Sequence, residues 1–132
     1  MEPARVPLAA VVAIHDRQIA RHGGAAGLRD GTLLEAAADR PRNRFFYGET
    51  DLFALSAAYA FGIAKAHAFV DGNKRTAFVT AAAFLRLNGH AFRPDPDEGL
   101  RMMEGLAAGE ISEEEFRNWL QSGATPLTPT DN

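Results

Sequence analysis

The fold is decided by residues 67–88, HAFVDGNKRTAFVTAAAFLRLN. From Lys74 to Asn88 the side chains are apolar almost all round, a pattern typical of a helix at the centre of a bundle. We therefore predict a buried central helix over 74–88. The segment that leads into it, 67–75, combines an imidazole, a carboxylate, a glycine and two cations, and is where chemistry is expected.

Local start and stop signals place five more helices around this centre. Glycine follows several periodic segments, and glycine takes the left-handed turn that ends a helix without a side-chain clash. Capping boxes at Thr32-x-x-Glu35 and Ser112-x-x-Glu115 mark two starts, and Asp95-Pro96 marks a third. The predicted helices run over 8–22, 31–40, 51–66, 74–88, 96–108 and 112–122. The predicted fold class is all-α, a compact six-helix bundle in one domain over 1–123.

Two segments fit no helix. Strand-like residues and a turn glycine in Arg44-Phe45-Phe46-Tyr47-Gly48 predict a short hairpin or flap over 41–50. The end of the chain, 124–132, has two prolines and nothing to bury, which predicts a flexible C-terminal tail.

Composition narrows the class of protein. The chain has 132 residues, 46% of them hydrophobic and 23% charged, as expected for one soluble globular domain. The absence of cysteine excludes disulfides, Cys-ligated zinc and thiol nucleophiles, and fits a cytoplasmic protein. A net charge of −3 argues against a protein that coats nucleic acid, and no apolar stretch is long enough to span a membrane. We therefore expect neither nucleic acid nor a membrane as a direct partner.

The segment 67–75 carries the parts of a phosphate-transfer site. The start of a helix offers unpaired N–H groups and the positive end of the helix dipole to an anion, and Lys74 and Arg75 add two full charges. Asp71 stands where a carboxylate can share Mg²⁺ with a nucleotide. The imidazole of His67 can accept a proton from a hydroxyl. Together these residues predict phosphoryl or nucleotidyl transfer.

Each of these residues also has a structural interpretation. Asp71-Gly72-Asn73 could form only a turn and a helix cap, and Phe69 is best explained as an anchor that fixes the loop to the core. Two cations at the positive end of a helix are in the wrong place for stability, which indicates a bound anion. Three other histidines are interpreted as packed or surface residues: His15, His22 and His90.

The same loop resembles a known family. His67-x-Phe69-x-Asp71-Gly72-Asn73-Lys74-Arg75 is similar to the signature of the Fic/Doc superfamily, and most similar to its death-on-curing (Doc) toxin branch. The likeness covers most of residues 8–122 and includes Ile14-His15-Asp16, 27–30 and 76–89. The resemblance implies a Fic/Doc-like helical fold and a toxin of a type II toxin–antitoxin system.

Three departures from the typical Fic motif, His-Pro-Phe-x-x-Gly-Asn-Gly-Arg-x-x-Arg, are those of Doc toxins. Ala68 replaces the proline, Lys74 replaces the second glycine of Gly-Asn-Gly, and Phe78 replaces the second arginine. In the family these changes accompany a reversed ATP orientation and transfer of the γ-phosphate instead of AMP. A lysine would fill part of the glycine nest, and the missing arginine removes one phosphate clamp, so AMP transfer is disfavoured.

The resemblance also implies residue roles. His67 would be the general base and Asp71 would hold Mg²⁺. The residues implied to bind the ATP phosphates are Gly72, Asn73, Lys74 and Arg75. A flap that aligns the acceptor peptide as an added strand would consist of Arg44, Phe45, Phe46 and Tyr47.

The implied activity is that of a toxin kinase. Doc toxins phosphorylate a threonine of elongation factor Tu, arrest protein synthesis, and are silenced by a cognate Phd-type antitoxin. The alternatives are a Fic-type AMP transferase and a catalytically inactive module that binds the antitoxin. A nuclease built around His67 and Asn73 is disfavoured, because only His90 follows as a further histidine ligand.

Overall fold

The computed structural model describes residues 1–128 as six helices and one small sheet. The helices are α1 (Leu8–His22), α2 (Gly31–Phe46), α3 (Leu52–Ala66), α4 (Asn73–Leu87), α5 (Pro96–Ala108) and α6 (Glu113–Gly123). The two antiparallel strands are β1 (His90–Phe92) and β2 (Ala124–Pro126). The all-α fold class is therefore confirmed.

Burial is most complete in α3, whereas the sequence predicted α4 as the centre. α3 packs against α2, α4, α5 and α6. Small side chains let these neighbours approach on every side, and the small buried residues of α3 are Ser56, Ala57, Ala58, Ala60, Gly62 and Ala64. α4 buries one face, but Phe78 and Val79 on another face line an open cavity. The apolar pattern of α4 thus serves partly to build a cavity wall.

The predicted hairpin over 41–50 does not form. Arg44, Phe45 and Phe46 belong to α2, and the chain turns only at Tyr47 and Gly48. The prediction of an extended flap was wrong. Phenylalanine is common in β-strands, but Phe45 and Phe46 here form the last turn of α2.

α2 passes through Pro41, which sequence reasoning took as the end of the helix. Proline has no N–H, so the carbonyl of Ala37 loses its helical donor. That carbonyl faces α3 at Gly62, where a β-carbon would lie only 3.3 Å from the oxygen. α2 and α3 thus approach each other closely at this interruption, and no local pattern in 31–46 reveals the contact.

Helix caps agree with the sequence at two of three predicted starts. Ser112 and Glu115 form the reciprocal capping box of α6, and the Asp95 side chain caps α5. At α2 the cap is Asp30, whose carboxylate accepts from Leu33 N at 3.0 Å, so the box predicted at Thr32 is wrong.

The predicted flexible tail is wrong for residues 124–126. Ala124 to Pro126 pair with β1, and Leu127 N donates to the Gly89 carbonyl at 2.9 Å. The end of the predicted tail, 129–132, lies outside the described residues. Within the part of the chain that the structure describes, no helix is long and apolar enough to cross a membrane.

Candidate active site

α3 ends at His67 in a left-handed backbone conformation, with φ of 48°. A non-glycine residue in this region is uncommon, and strain of this kind is concentrated at functional sites. The turn leaves the His67 side chain exposed, where a macromolecular substrate can reach it. The His67 carbonyl accepts a hydrogen bond from Arg29 Nη2, which ties the turn to the α1–α2 connection.

The α1–α2 connection, 23–30, lies along the loop that contains His67. The amides of Arg29 and Asp30 donate to the Ala68 carbonyl at 2.7 and 2.9 Å, and Val70 N donates to Gly27 O at 3.0 Å. Sequence reasoning noted 27–30 only as part of the family likeness and missed this role. No local signal in the segment points to the loop, because the helix packing alone brings the two together.

Asn73 closes the loop with two hydrogen bonds to the backbone of Phe69. Its Oδ1 accepts from Phe69 N and its Nδ2 donates to Phe69 O, both at 3.0 Å. The Phe69 ring is buried in the core, where an anchor must lie. The Asn73 side chain thus shapes the loop, and its contact with phosphate stays a prediction.

Asp71 presents an exposed carboxylate that backbone N–H groups hold in place. Its Oδ1 accepts from Gly72 N at 2.8 Å and its Oδ2 accepts from Ala25 N at 3.3 Å. The bond from Gly72, followed by that from Ala25, holds the pKa of the Asp71 carboxyl below its ordinary value. The group is therefore ionised at neutral pH.

Asp71 fits Mg²⁺ as a single protein ligand. Among residues 1–128 no group of three or more His, Cys, Asp or Glu side chains could hold a metal ion. Mg²⁺ commonly uses one or two carboxylates and completes its shell with water and substrate phosphates. One ionised carboxylate beside a phosphate site is therefore a sufficient donor set.

Lys74 and Arg75 open α4 beside a cavity of about 460 Å³. Neither cation forms an ion pair with any residue in 1–128. Arg75 Nη1 is buried, and no acceptor among the described residues reaches it. A buried guanidinium N–H without an acceptor is costly, and a bound anion would supply one. The structure thus brings the two predicted cations to one cavity.

The cavity is lined by both cationic and apolar side chains. Sequence reasoning did not anticipate the other basic residues that line it, which are Arg21, His22 and Arg93. The apolar wall includes Phe78, Val79, Phe92, Leu100 and Met103. A lining of this kind offers both cations and apolar side chains to a ligand.

The predicted flap residues lie at the other end of α3. Arg44 lines a second cavity, of about 520 Å³, together with Asp51 and Arg117. Residues 44–47 are therefore separated from His67 by the length of α3, about 20 Å at 1.5 Å per residue. The role of Arg44, Phe45, Phe46 and Tyr47 in aligning an acceptor stays a prediction, whereas the segment that lies beside His67 is 23–30.

The fold and the site together define a class of small helical proteins with a charged loop between two packed helices, α3 and α4. The sequence model described as the Fic/DOC family matches residues 5–85. The chain is 44% identical over 103 residues to "Protein kinase doc" of Escherichia phage P1, which covers 77% of this chain and 81% of that protein. It is 40% identical over 77 residues to "Toxin Doc" of Mycolicibacterium smegmatis, covering 57% and 59%. The chain therefore belongs to the Fic/DOC family, among the Doc proteins.

Proposed function

We propose that this chain is a toxin kinase of the cytoplasm, which transfers the γ-phosphate of ATP to a threonine or serine hydroxyl of elongation factor Tu. The observation that carries the proposal is the pair Lys74 and Arg75. Neither forms an ion pair within residues 1–128, Arg75 Nη1 has no acceptor there, and both side chains line a cavity of about 460 Å³. A relative named as a protein kinase, at 44% identity, supports the phosphotransferase class.

His67 acts in this mechanism as the general base. It accepts the proton of the acceptor hydroxyl, whose oxygen bonds to the γ-phosphorus as the bond to the bridging oxygen breaks and ADP leaves. The exposed position of His67 at the end of α3 suits an acceptor that belongs to another protein. Lys74 and Arg75 stabilise the charge that develops on the phosphate oxygens.

Asp71 would hold Mg²⁺ next to these cations. Mg²⁺, when bound, neutralises charge on the phosphates and orients them. The left-handed Gly72, with φ of +76°, brings the backbone close to α1 and lets α4 begin at the phosphates. Asp71 needs no proton loss during the reaction, because its lowered pKa keeps it ionised.

Phe78 favours transfer of the γ-phosphate over transfer of AMP. Its ring lies 6.2 Å from that of Phe92 and 6.4 Å from that of Trp119, so this position contributes to an aromatic wall and not to a phosphate clamp. AMP transfer would need the remaining phosphates to be held here. We also expect a cognate antitoxin, of the Phd type that the family implies, because one relative is named a toxin.

Labelled ATP tests the proposal. The purified chain is incubated with elongation factor Tu, Mg²⁺ and ATP that carries the label at either the α- or the γ-phosphate. We expect the factor to be labelled from γ and not from α. Label from α would instead show an AMP transferase. No label from either, with folded protein, would support an inactive antitoxin-binding module.

Lys74→Gly tests the role of the lysine in the γ-transfer orientation. The change restores the glycine of the typical Fic motif and removes one charge from the cavity. We expect γ-phosphate transfer to fall about tenfold or more, in line with the loss of a charged phosphate contact. Unchanged γ-transfer would contradict this role.

A further inference from the structure

His15 contacts the candidate active-site loop from the buried face of α1. Its side chain is 1% exposed, and its Nε2 lies 2.7 Å from the carbonyl oxygen of Asp71. A carbonyl oxygen only accepts, so Nε2 must carry the proton and donate. The other ring nitrogen, Nδ1, lies 3.6 Å from an Asp16 carboxylate oxygen at the protein surface. The sequence-based interpretation of His15 as a packed residue is correct but incomplete.

The imidazole also stacks on the loop. The ring of His15 is nearly parallel to that of Phe69, with 3.7 Å between centroids and 6° between planes. His15 therefore holds the loop at two points, the ring of residue 69 and the carbonyl of residue 71. Gly72 packs against the same helix, since a β-carbon there would lie 3.1 Å from Ile19 Cδ1 and 3.6 Å from His15 Nε2.

The hydrogen bond from His15 fixes the plane of the peptide between residues 71 and 72. In a trans peptide the C=O and the N–H point in opposite directions. When His15 holds the Asp71 carbonyl towards α1, the Gly72 N–H must point away from α1. That N–H donates to Asp71 Oδ1 at 2.8 Å. One of the two hydrogen bonds that hold the Asp71 carboxylate thus depends on the His15 contact, and the other comes from Ala25 N.

We propose that His15 is a positioning residue, whose Nε2–H holds the Asp71 carbonyl and thereby orients the Asp71 carboxylate. It contacts neither nucleotide nor acceptor, and acts through Asp71. The inference rests on the proposed function in one respect, that Asp71 binds Mg²⁺ for phosphate transfer. Partners of metal ligands typically contribute about 10- to 100-fold in metal affinity or activity.

Two substitutions separate the hydrogen bond from the stacking. His15→Phe keeps a ring on Phe69 and removes the donor, whereas His15→Gln places an amide N–H near the position of Nε2 and removes the ring. We expect His15→Phe to lower kcat and to raise the Mg²⁺ concentration for half-maximal activity, each by about tenfold or more. His15→Gln should stay within about threefold of the wild type on both measures.

Val11→Ala is the matched control for stability. Val11 is fully buried on α1, one turn before His15. None of the hydrogen bonds described for residues 1–128 joins Val11 to Asp71. Val11→Ala should lower the free energy of unfolding and leave the Mg²⁺ dependence unchanged. Wild-type Mg²⁺ dependence in folded His15→Phe, or equal losses in folded His15→Gln and His15→Phe, would overturn the proposal.

Amide hydrogen exchange keeps the test independent of activity. Without substrate, His15→Phe should speed exchange at Val70 and Gly72 about tenfold relative to the core of α3, and His15→Gln should do so much less. Unchanged exchange at Gly72 in His15→Phe would overturn the positioning role even in an inactive protein. A wild-type chain that transfers no phosphate would refute the proposed function alone, because the exchange comparison still decides the role of His15.

Discussion

Two cavities are lined with charged side chains, one near the start of α3 and one at the start of α4, and their cations are placed differently. Near the start of α3, in the cavity of about 520 Å³, both lining arginines are paired with carboxylates. Arg44 pairs with Glu113 at 2.6 Å and with Glu49 at 3.8 Å, and Arg117 pairs with Asp51 at 2.6 Å. The charges of these two arginines are therefore neutralised by carboxylates of the protein itself.

At the start of α4, in the cavity of about 460 Å³, the two cations of that helix have no such pairing. Lys74 and Arg75 take part in no ion pair among residues 1–128, and they stand at the helix end where positive charge is least favourable. Cavity size alone therefore does not identify the ligand site. The better indication is unpaired positive charge at the start of a helix, because a bound anion would compensate both that charge and the helix dipole.

The largest effect should come from His67→Ala, at the uncompensated end. Removing the general base should lower kcat for phosphate transfer by about 10²- to 10⁴-fold. The exposed side chain contributes little to packing, so the midpoint of thermal unfolding should not change. Growth arrest by the folded variant on expression would contradict the role of His67.

Tyr47→Ala is the counterpart at the other end of α3. Tyr47 is 93% exposed and stands in the segment first predicted as the flap. The variant should keep kcat/KM for elongation factor Tu within about twofold, since exposed side chains away from a site contribute little. A large loss would return residues 44–47 to the acceptor site.

Exchanging arginine for glutamine at both ends should separate binding from stability. Arg75→Gln should raise KM for ATP about tenfold or more, because it removes a phosphate contact, and should leave the free energy of unfolding unchanged or higher. Arg44→Gln should lower that free energy by about 0.5–1 kcal/mol and leave KM for ATP unchanged. Steady-state kinetics and urea unfolding of both variants measure the contrast. The predicted contrast would be refuted if Arg75→Gln lowered the free energy of unfolding and left KM for ATP unchanged.

Glu113→Gln tests how far the compensated end depends on one carboxylate. Glu113 accepts from Arg40 with both oxygens, at 2.6 and 2.8 Å, and from Arg44 at 2.6 Å. The side chains are partly exposed, so the loss should be moderate, about 1–2 kcal/mol in urea unfolding. In a double-mutant cycle with Arg40→Gln, most of this loss should appear as coupling energy between Glu113 and Arg40. An additive result would show that the pair is not coupled.

The smallest effect concerns acid stability at the uncompensated end. Because the folded-state pKa of Asp71 is lowered, its stabilisation is present above the ordinary pKa of about 3.9 and is lost as pH falls through the lowered value. The difference in urea midpoint between the wild type and Asp71→Asn should therefore shrink as pH falls from about 5 to about 2. Both are measured in a metal-free buffer. A difference in urea midpoint that is constant over this pH range would refute the lowered pKa of Asp71.

Local signals determined most of the helical boundaries. The capping box at Ser112, the cap at Asp95 and the approach to α4 at Gly72 are each made by residues within a few positions of one another, so the sequence shows them directly. The anion-site hypothesis at Lys74 and Arg75 has the same origin, because a cation pair at a helix start conflicts with the dipole of that helix.

Contacts between distant residues could not be predicted in this way. Residues 124–126 form a strand because His90–Phe92 offers an edge. The tail prediction failed there because the partner of these backbone groups lies in another element. α2 continues through Pro41 and packs closely on Gly62 of α3 at Ala37, a contact that the local sequence does not show either.

The sequence by itself determined the six-helix class, the Fic/Doc-like loop and the residues of that loop that carry charge. Only the tertiary structure decided which charges stay unpaired, that 23–30 and not 44–47 lies beside His67, and that His15 holds Asp71 from 56 positions away. Residue types and their spacing determine where a helix begins and ends, because these signals act within a few residues. Helix packing determines which distant side chains come into contact, and a charge is paired only if packing brings an opposite charge to it.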